Sequence, residues 1–262
     1  MLKKNTFNAK NKGFSLVEMS VVIVITSLIV AGTVSAKNII YSAKIRTVLS
    51  EYQSHETAIK SFKDIFHKLP GDMDNAYSYW GAECDSIASN CNGNNNSVVN
   101  WNANSSGGKS RDNETHRAWQ HLYLAGMLET PFTGKVLGGD GDTAFATNTE
   151  MYFSQTGWGK YFIDGTYKLF NSESPSNYII LGSLDQNIWY PMFSVKDAHN
   201  IDRKIDDGIA NDGKLFSLTG GYTNPNTNCS QSWRTNTSGE NYNFSNLDSE
   251  VKYCIIAYLL DI

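Results

Sequence analysis

Residues 13–18 read Gly13-Phe14-Ser15-Leu16-Val17-Glu18, and they open onto Met19–Ala36, a run without a single charge. Between Lys12 and Lys37 the one charged residue is Glu18. Eighteen or more apolar residues in helical form approach the ~30 Å hydrocarbon core of a bilayer. A carboxylate at bilayer depth is unfavourable by roughly 3 kcal/mol, so its presence is itself a functional signal. The expectation is a chain that begins in a membrane and uses a buried charge there.

The residues before this run carry Lys3, Lys4, Lys10 and Lys12 and no acid. That asymmetry is the positive-inside pattern, which places the first dozen residues in the cytoplasm and everything after Lys37 on the far side. The formal net charge of the 262 residues is −4, so removing those four lysines leaves −8 for the remainder. A surface of that sign offers no counterion release to nucleic acid. Four cysteines, Cys84, Cys91, Cys229 and Cys254, contain no CxxC pair. In an oxidising compartment the sequence-local choices are Cys84–Cys91 and Cys229–Cys254. The other two connectivities stay open, and so does a zinc site, although the spacings match no common ligand pattern.

Beyond the apolar run, Ile45, Val48, Leu49, Tyr52, Ile59, Phe62, Phe66 and Leu69 recur at three- and four-residue steps. This is an amphipathic helix with one stripe toward a core. No proline occurs before Pro70, so one helix from about Phe14 to Phe66 is expected, roughly 80 Å long. Leu69-Pro70-Gly71-Asp72 stops it, because the residue before proline avoids helix and glycine permits a turn. Residues 85–111, rich in Asn, Ser and Gly, read as a polar loop that a local disulfide would order. A shorter helix is expected over Asp112–Leu128, opened by an Asp or Asn cap.

After Met151 the pattern turns to strands. Asp164-Gly165 between Lys160–Ile163 and Thr166–Phe170 predicts a hairpin. Tyr178–Leu184, Leu215–Leu218 and Tyr253–Leu260 read as further strands, and Trp189–Val195 as an edge or irregular one because of Pro191. Strands without intervening helices imply an antiparallel sheet. The fold class is therefore α+β, helix first and sheet last.

Gly13-Phe14-Ser15-Leu16-Val17-Glu18 behind a short lysine-rich leader resembles the processing site of type IV pilins and the pseudopilins of type II secretion. The resemblance covers residues 12–36. It implies a pilin-like fold, a long N-terminal helix packed on an antiparallel head. It further implies a leader at 1–13, an assembly helix at 14–36, its amphipathic continuation at 37–68, and an extracytoplasmic head at 69–262. Prepilin peptidase would cut between Gly13 and Phe14, and Phe14 would be N-methylated. Glu18, five positions on, would pair with the Phe14 amine of a neighbouring subunit during assembly. Implied partners are other subunits, the peptidase, an inner-membrane assembly platform and the bilayer before assembly. Implied locations are the bacterial inner membrane, then a periplasmic or surface filament (a fimbrium or a secretion pseudopilus). About 250 residues after cleavage is large for a major pilin and leans toward a minor subunit.

Leu69–Asp72 and Ile201–Gly208 with Asp212-Gly213 are similar to elements of bacterial pilin-like proteins of unassigned role. Asp202, Asp206, Asp207 and Asp212 could supply oxygens to Ca²⁺, as pseudopilin heads sometimes do, but Lys204 and Gly208 break EF-hand spacing. A solvated turn with Asp caps is the competing reading. Asp140 and Asp142 are a weaker version of the same pattern. No enzyme is expected. Gly108-Lys109-Ser110 lacks the first P-loop glycine, since Ala103 stands there, and His55, His67, His116, His121 and His199 form no HExxH. No Gly-x-Ser-x-Gly elbow occurs. Two other readings compete: a Sec signal peptide cut after Val34-Ser35-Ala36, releasing a soluble binding protein or enzyme, and a single-span anchored protein that never polymerises.

Overall fold

The computed structural model describes residues 13–100, 114–135, 151–165, 176–183, 190–220, 228–230 and 241–262. Helix α1 runs without a break over Leu16–Phe66, 51 residues. The chain divides into two compact units, one ending at Arg46 and the other spanning Thr47–Ile262, so the boundary falls inside α1. Over Leu16–Thr33 the helix is exposed all round, with Leu16 at 91% and Ile23 at 60% of full exposure.

In the second unit α1 buries Val48, Tyr52, His55, Ile59 and Phe62. Those positions step by four, three, four and three residues, which is the stripe of a helix seated on a core. Two polar residues, Glu51 and His55, are buried on the same side. The helix stops where expected, with His67 and Gly71 both at positive φ (55° and 86°).

The head sheet contains β1 (Tyr152–Phe153), β2 (Gly159–Asp164), β3 (Tyr178–Ser183), β4 (Leu215–Thr219) and β5 (Cys254–Leu259). Their spatial order is β1-β2-β3-β5-β4, with every neighbouring pair antiparallel. The register aligns Tyr161, Leu181, Ile256 and Ser217 across one face, and Phe162, Ile180, Ala257 and Phe216 across the other. Tyr52 of α1 meets the first face: its ring lies 5.2 Å from Tyr161, and its hydroxyl donates to the Ile256 carbonyl at 3.4 Å. The second face forms its own buried cluster with Met151, Tyr178, Leu218 and Ile255. Both faces are dry, which is why β3 and β5 read as continuous apolar runs and not as alternating ones.

Short helices α2 (Ala76–Trp80) and α3 (Ala88–Cys91) follow α1, with a 3₁₀ turn at Gly81–Glu83. Helix α4 spans Glu114–Leu124 and is buried from Glu114 to Leu122. Its Thr115 hydroxyl donates to the Ile163 carbonyl of β2 at 2.8 Å.

One expectation is corrected here. Residues 195–205 form helix α5, and the described part of the segment read as an edge or irregular strand makes a bridge from Phe193 to Cys254 before turning helical. A helix therefore does intervene between β3 and β4, and the sheet stays antiparallel because β5 inserts between those two strands. The predicted hairpin partner Thr166–Phe170 lies outside the described residues; the full-length antiparallel partner of β2 is β3.

Candidate functional site

The start of α1 is built by Ser15 and Glu18 acting on each other. The Ser15 N–H donates to a Glu18 carboxylate oxygen at 2.7 Å, and the Glu18 N–H donates to Ser15 Oγ at 3.2 Å. This is a capping box, the Ser-x-x-Glu arrangement that satisfies two orphan N–H groups of a helix end. Its spacing is legible in Ser15-Leu16-Val17-Glu18. Along the following turns the hydroxyls of Ser20, Thr26, Ser27, Thr33 and Ser35 donate to carbonyls three or four residues back. These hydroxyl donors are thereby satisfied within the helix, which leaves an exterior that hydrocarbon accepts. Helix α1 continues through Val34-Ser35-Ala36, where a signal-peptide cut was considered. Among the described residues it is the one helix long and apolar enough to cross a membrane.

A family model for the prokaryotic N-terminal methylation motif matches residues 8–34. The chain carries the prepilin signature of type IV pilins and pseudopilins. No curated protein and no solved structure matches it. The methylation motif encloses Gly13, Phe14 and Glu18, and it ends where the apolar run approaches its end. With Phe14 81% exposed, both the Gly13–Phe14 peptide bond and the aromatic ring are accessible.

In the head, the Pro70-Gly71-Asp72 turn organises the Asn-rich loop. Asp72, almost fully buried, accepts from the N–H groups of Asn96 and Ser97 at 3.0 and 2.8 Å. Glu114 at the start of α4 does the same for Asn94 and Asn100, at 3.0 and 2.9 Å. Two carboxylates thus hold four loop N–H groups. Gly71 is required because a Cβ there would strike the Glu114 carbonyl, and its φ is left-handed. Its N–H donates to His121 Nδ1 at 2.9 Å, so Nε2 carries the proton and donates to the Cys91 carbonyl at 3.0 Å. Arg117 donates to the carbonyls of Asn92 and Ser89.

Burial raises the Glu114 carboxyl to about 7, against the pull of its two N–H donors, and it also raises Asp72. Asp72→Ala leaves two N–H groups without their acceptor and is expected to destabilise the head by about 2–3 kcal/mol. Asp72→Asn, which keeps one oxygen, should lose about half of that. Thermal melting of the three proteins checks the order, with protease cleavage in residues 93–100 appearing first in the Ala variant.

Cys84 is bonded to Cys91, and Cys229 to Cys254. The first disulfide sits beside the clamp, where Gln120 Nε2 donates to the Cys84 carbonyl at 2.6 Å. The second ties residues 228–230 to the start of β5. Loop-closure entropy gives about 2.5 kcal/mol for the shorter loop and about 3.5 kcal/mol for the longer one. The pair Cys229→Ser/Cys254→Ser should therefore lower the melting temperature more than Cys84→Ser/Cys91→Ser. The sulfurs of Cys84 and Cys91 lie within 4.8 Å of a His121 nitrogen, but both are committed to the disulfide.

Asp202, Asp206 and Asp207 bring carboxylate oxygens within 4.8 Å of one another. Asp212 does not join them; its Oδ1 accepts from the Gly213 N–H at 2.8 Å. Asp202 is on α5 and not on a loop, fully buried, accepting from the Tyr242 hydroxyl at 2.7 Å and the Gly208 N–H at 3.3 Å. Tyr242 in turn lies 2.7 Å from Ser217 Oγ. Burial raises the Asp202 carboxyl to about 7. Asp206 accepts from the N–H groups of Lys214 and Leu215, and Asp207 accepts from Ile209 at 2.7 Å. Asp206 thereby fastens the end of α5 to the start of β4. Asp140 and Asp142, and the Gly108-Lys109-Ser110 segment, lie outside the described residues.

Proposed function

We propose that this protein is a structural subunit of a type IV pilus-like or type II secretion filament, a minor pilin or pseudopilin. The supporting observation is a coincidence in one place. The methylation motif, an apolar exposed helix, and one acid five positions from a Gly-Phe bond all fall within residues 8–36. In this reading prepilin peptidase cuts after Gly13, Phe14 is N-methylated, and the chain rests in the inner membrane with its head on the periplasmic side. An assembly platform then draws it into a filament of similar subunits.

The physics gives Glu18 its role. In a lone subunit the carboxylate is held only by the Ser15 cap. In a packed bundle the neighbour's Phe14 ammonium supplies a full countercharge, and pairing recovers part of the desolvation cost. Subunit register along the filament is then set by where the charge is paired. The test is the N-terminal residue and mass of the mature protein. N-methyl-Phe14 is expected. A start near Lys37 would establish the secreted reading, and an intact Met1 the plain anchor.

A further inference from the structure

His55 is the one buried residue of α1 whose chemistry does not suit its surroundings. It is 2% exposed, and neither ring nitrogen has a hydrogen-bond partner. Three rings enclose it edge-to-face: Trp119 of α4 at 5.2 Å, Tyr152 of β1 at 4.5 Å and Tyr161 of β2 at 4.9 Å. The Trp119 Nε1–H is likewise buried without a partner.

A buried imidazole ordinarily has at least one of its nitrogens bonded, because an unmet polar atom is unfavourable by about 1–3 kcal/mol. The buried His121, by contrast, has both nitrogens occupied. Neutral, His55 behaves as a fourth aromatic ring of the cluster. Protonated, it would carry a charge and a second N–H donor into that cluster of rings.

The groups facing it are uncharged in acid: two phenols and an indole. The acid one turn earlier on its own helix, Glu51, already accepts from Ser154 Oγ at 2.7 Å, the Gln155 N–H at 2.6 Å and the Tyr161 hydroxyl at 2.8 Å. Using Glu51 as countercharge would therefore break the clamp between α1 and the β1–β2 turn. Either response of the structure, moving His55 out or moving Glu51 over, loosens the same seam.

We propose that His55 is an acid-operated latch, whose protonation frees the head half of α1 from α4 and the first two strands before the rest of the head unfolds. Burial holds the neutral ring down to about pH 4, while the opened segment titrates near 6.5. Acidification across that interval favours the open form.

The experiment is backbone hydrogen exchange of the full chain in detergent micelles at pH 6.5 and pH 4.5, corrected for intrinsic rates and read by mass spectrometry. Peptides within residues 47–66 should exchange on the order of tenfold faster at the lower pH and open at a lower free energy than peptides of β3 and β5, which exchange through global unfolding. His55→Phe, which keeps the aromatic packing, should abolish the acceleration, and His55→Leu should do the same if the larger ring is not accommodated. An unchanged rate in the wild type would overturn the proposal. So would exchange of residues 47–66 at the same free energy as β3 and β5, or acceleration that persists in either variant. The wild-type profile decides the matter even if both variants fail to fold.

Discussion

Glu18→Leu should insert and be cleaved as the wild type is, yet enter filaments at least a hundredfold less. Removing one member of a desolvated ion pair strands the other, and such losses run to about 3–5 kcal/mol. The stranded group here would be the neighbouring subunit's Phe14 ammonium. Two effects are mixed in this substitution, because Glu18 also accepts the Ser15 N–H in the capping box. Glu18→Gln separates them. Glutamine keeps the cap geometry, which tolerates either residue at that position, but it has no charge. The cap alone is worth about 1 kcal/mol. If charge pairing directs assembly, Gln and Leu fail alike; if Gln assembles normally, the cap is the working feature. Counting incorporated subunits in sheared filaments, beside the cleaved fraction in the membrane, gives both numbers.

The second large effect is the dependence of head stability on pH. Burial holds His55 neutral down to about 4, and His116 and His121 down to about 3, whereas each takes up a proton near 6.5 when unfolded. A depressed histidine contributes stability that is complete above 6.5 and is lost as pH falls below it. Glu114 and Asp202 have the opposite sign: raised to about 7, they are protonated in the fold but ionised in the unfolded chain above about 4.5 and 3.8. Their unfavourable burial is relieved as pH falls from 7 toward 4.5.

Of the five groups shifted furthest in this range three lose and two gain, so their net is about one proton taken up on unfolding between pH 6 and 5. Stability should peak near pH 6.5 and fall by about 1.4 kcal/mol per pH unit on the acid side. It should steepen below pH 4.5, where the unfolded carboxylates also bind protons. On the alkaline side it should change by less than about 1 kcal/mol up to pH 8. Denaturant midpoints measured at half-unit steps check the sign and the position of the maximum. A stability that rises on acidification from 6.5 to 5 would reverse the assignment of which buried groups dominate.

Much of the fold lies on the surface of the sequence. The proline-free pattern through Phe66 and the stop at Leu69-Pro70-Gly71-Asp72 place α1 to within a few residues. The apolar runs at 178, 215 and 253 become β3, β4 and β5. What escaped was polar. Helix α5 was hidden because Asp202, Arg203 and Lys204 look like a solvated loop, although Ser194 and Asp197 spell its cap and Val195, Ala198 and Ile201 its buried stripe. Glu51 and His55 were invisible because a stripe is read from apolar residues, and these two occupy buried positions while being polar. The Asp-rich segment reads as either a cation loop or a solvated turn with Asp caps, and the pattern does not show that Asp202 is a helix residue bonded to Tyr242, 40 positions away.

The sequence by itself determined the front of this protein. A cleavage-type Gly-Phe bond, a lone acid at a fixed spacing and an uncharged helical run are properties of neighbouring residues, and a linear pattern records them completely. Only the tertiary structure decided which head residues carry the polar load. Glu51 finds Ser154 at a separation of 103 residues, and Tyr52 finds Ile256 at 204. A buried charge is tolerable only beside its donors. Because those donors come from distant strands and loops, the roles of Glu51, His55, Asp72 and Asp202 exist only once the chain has closed around them.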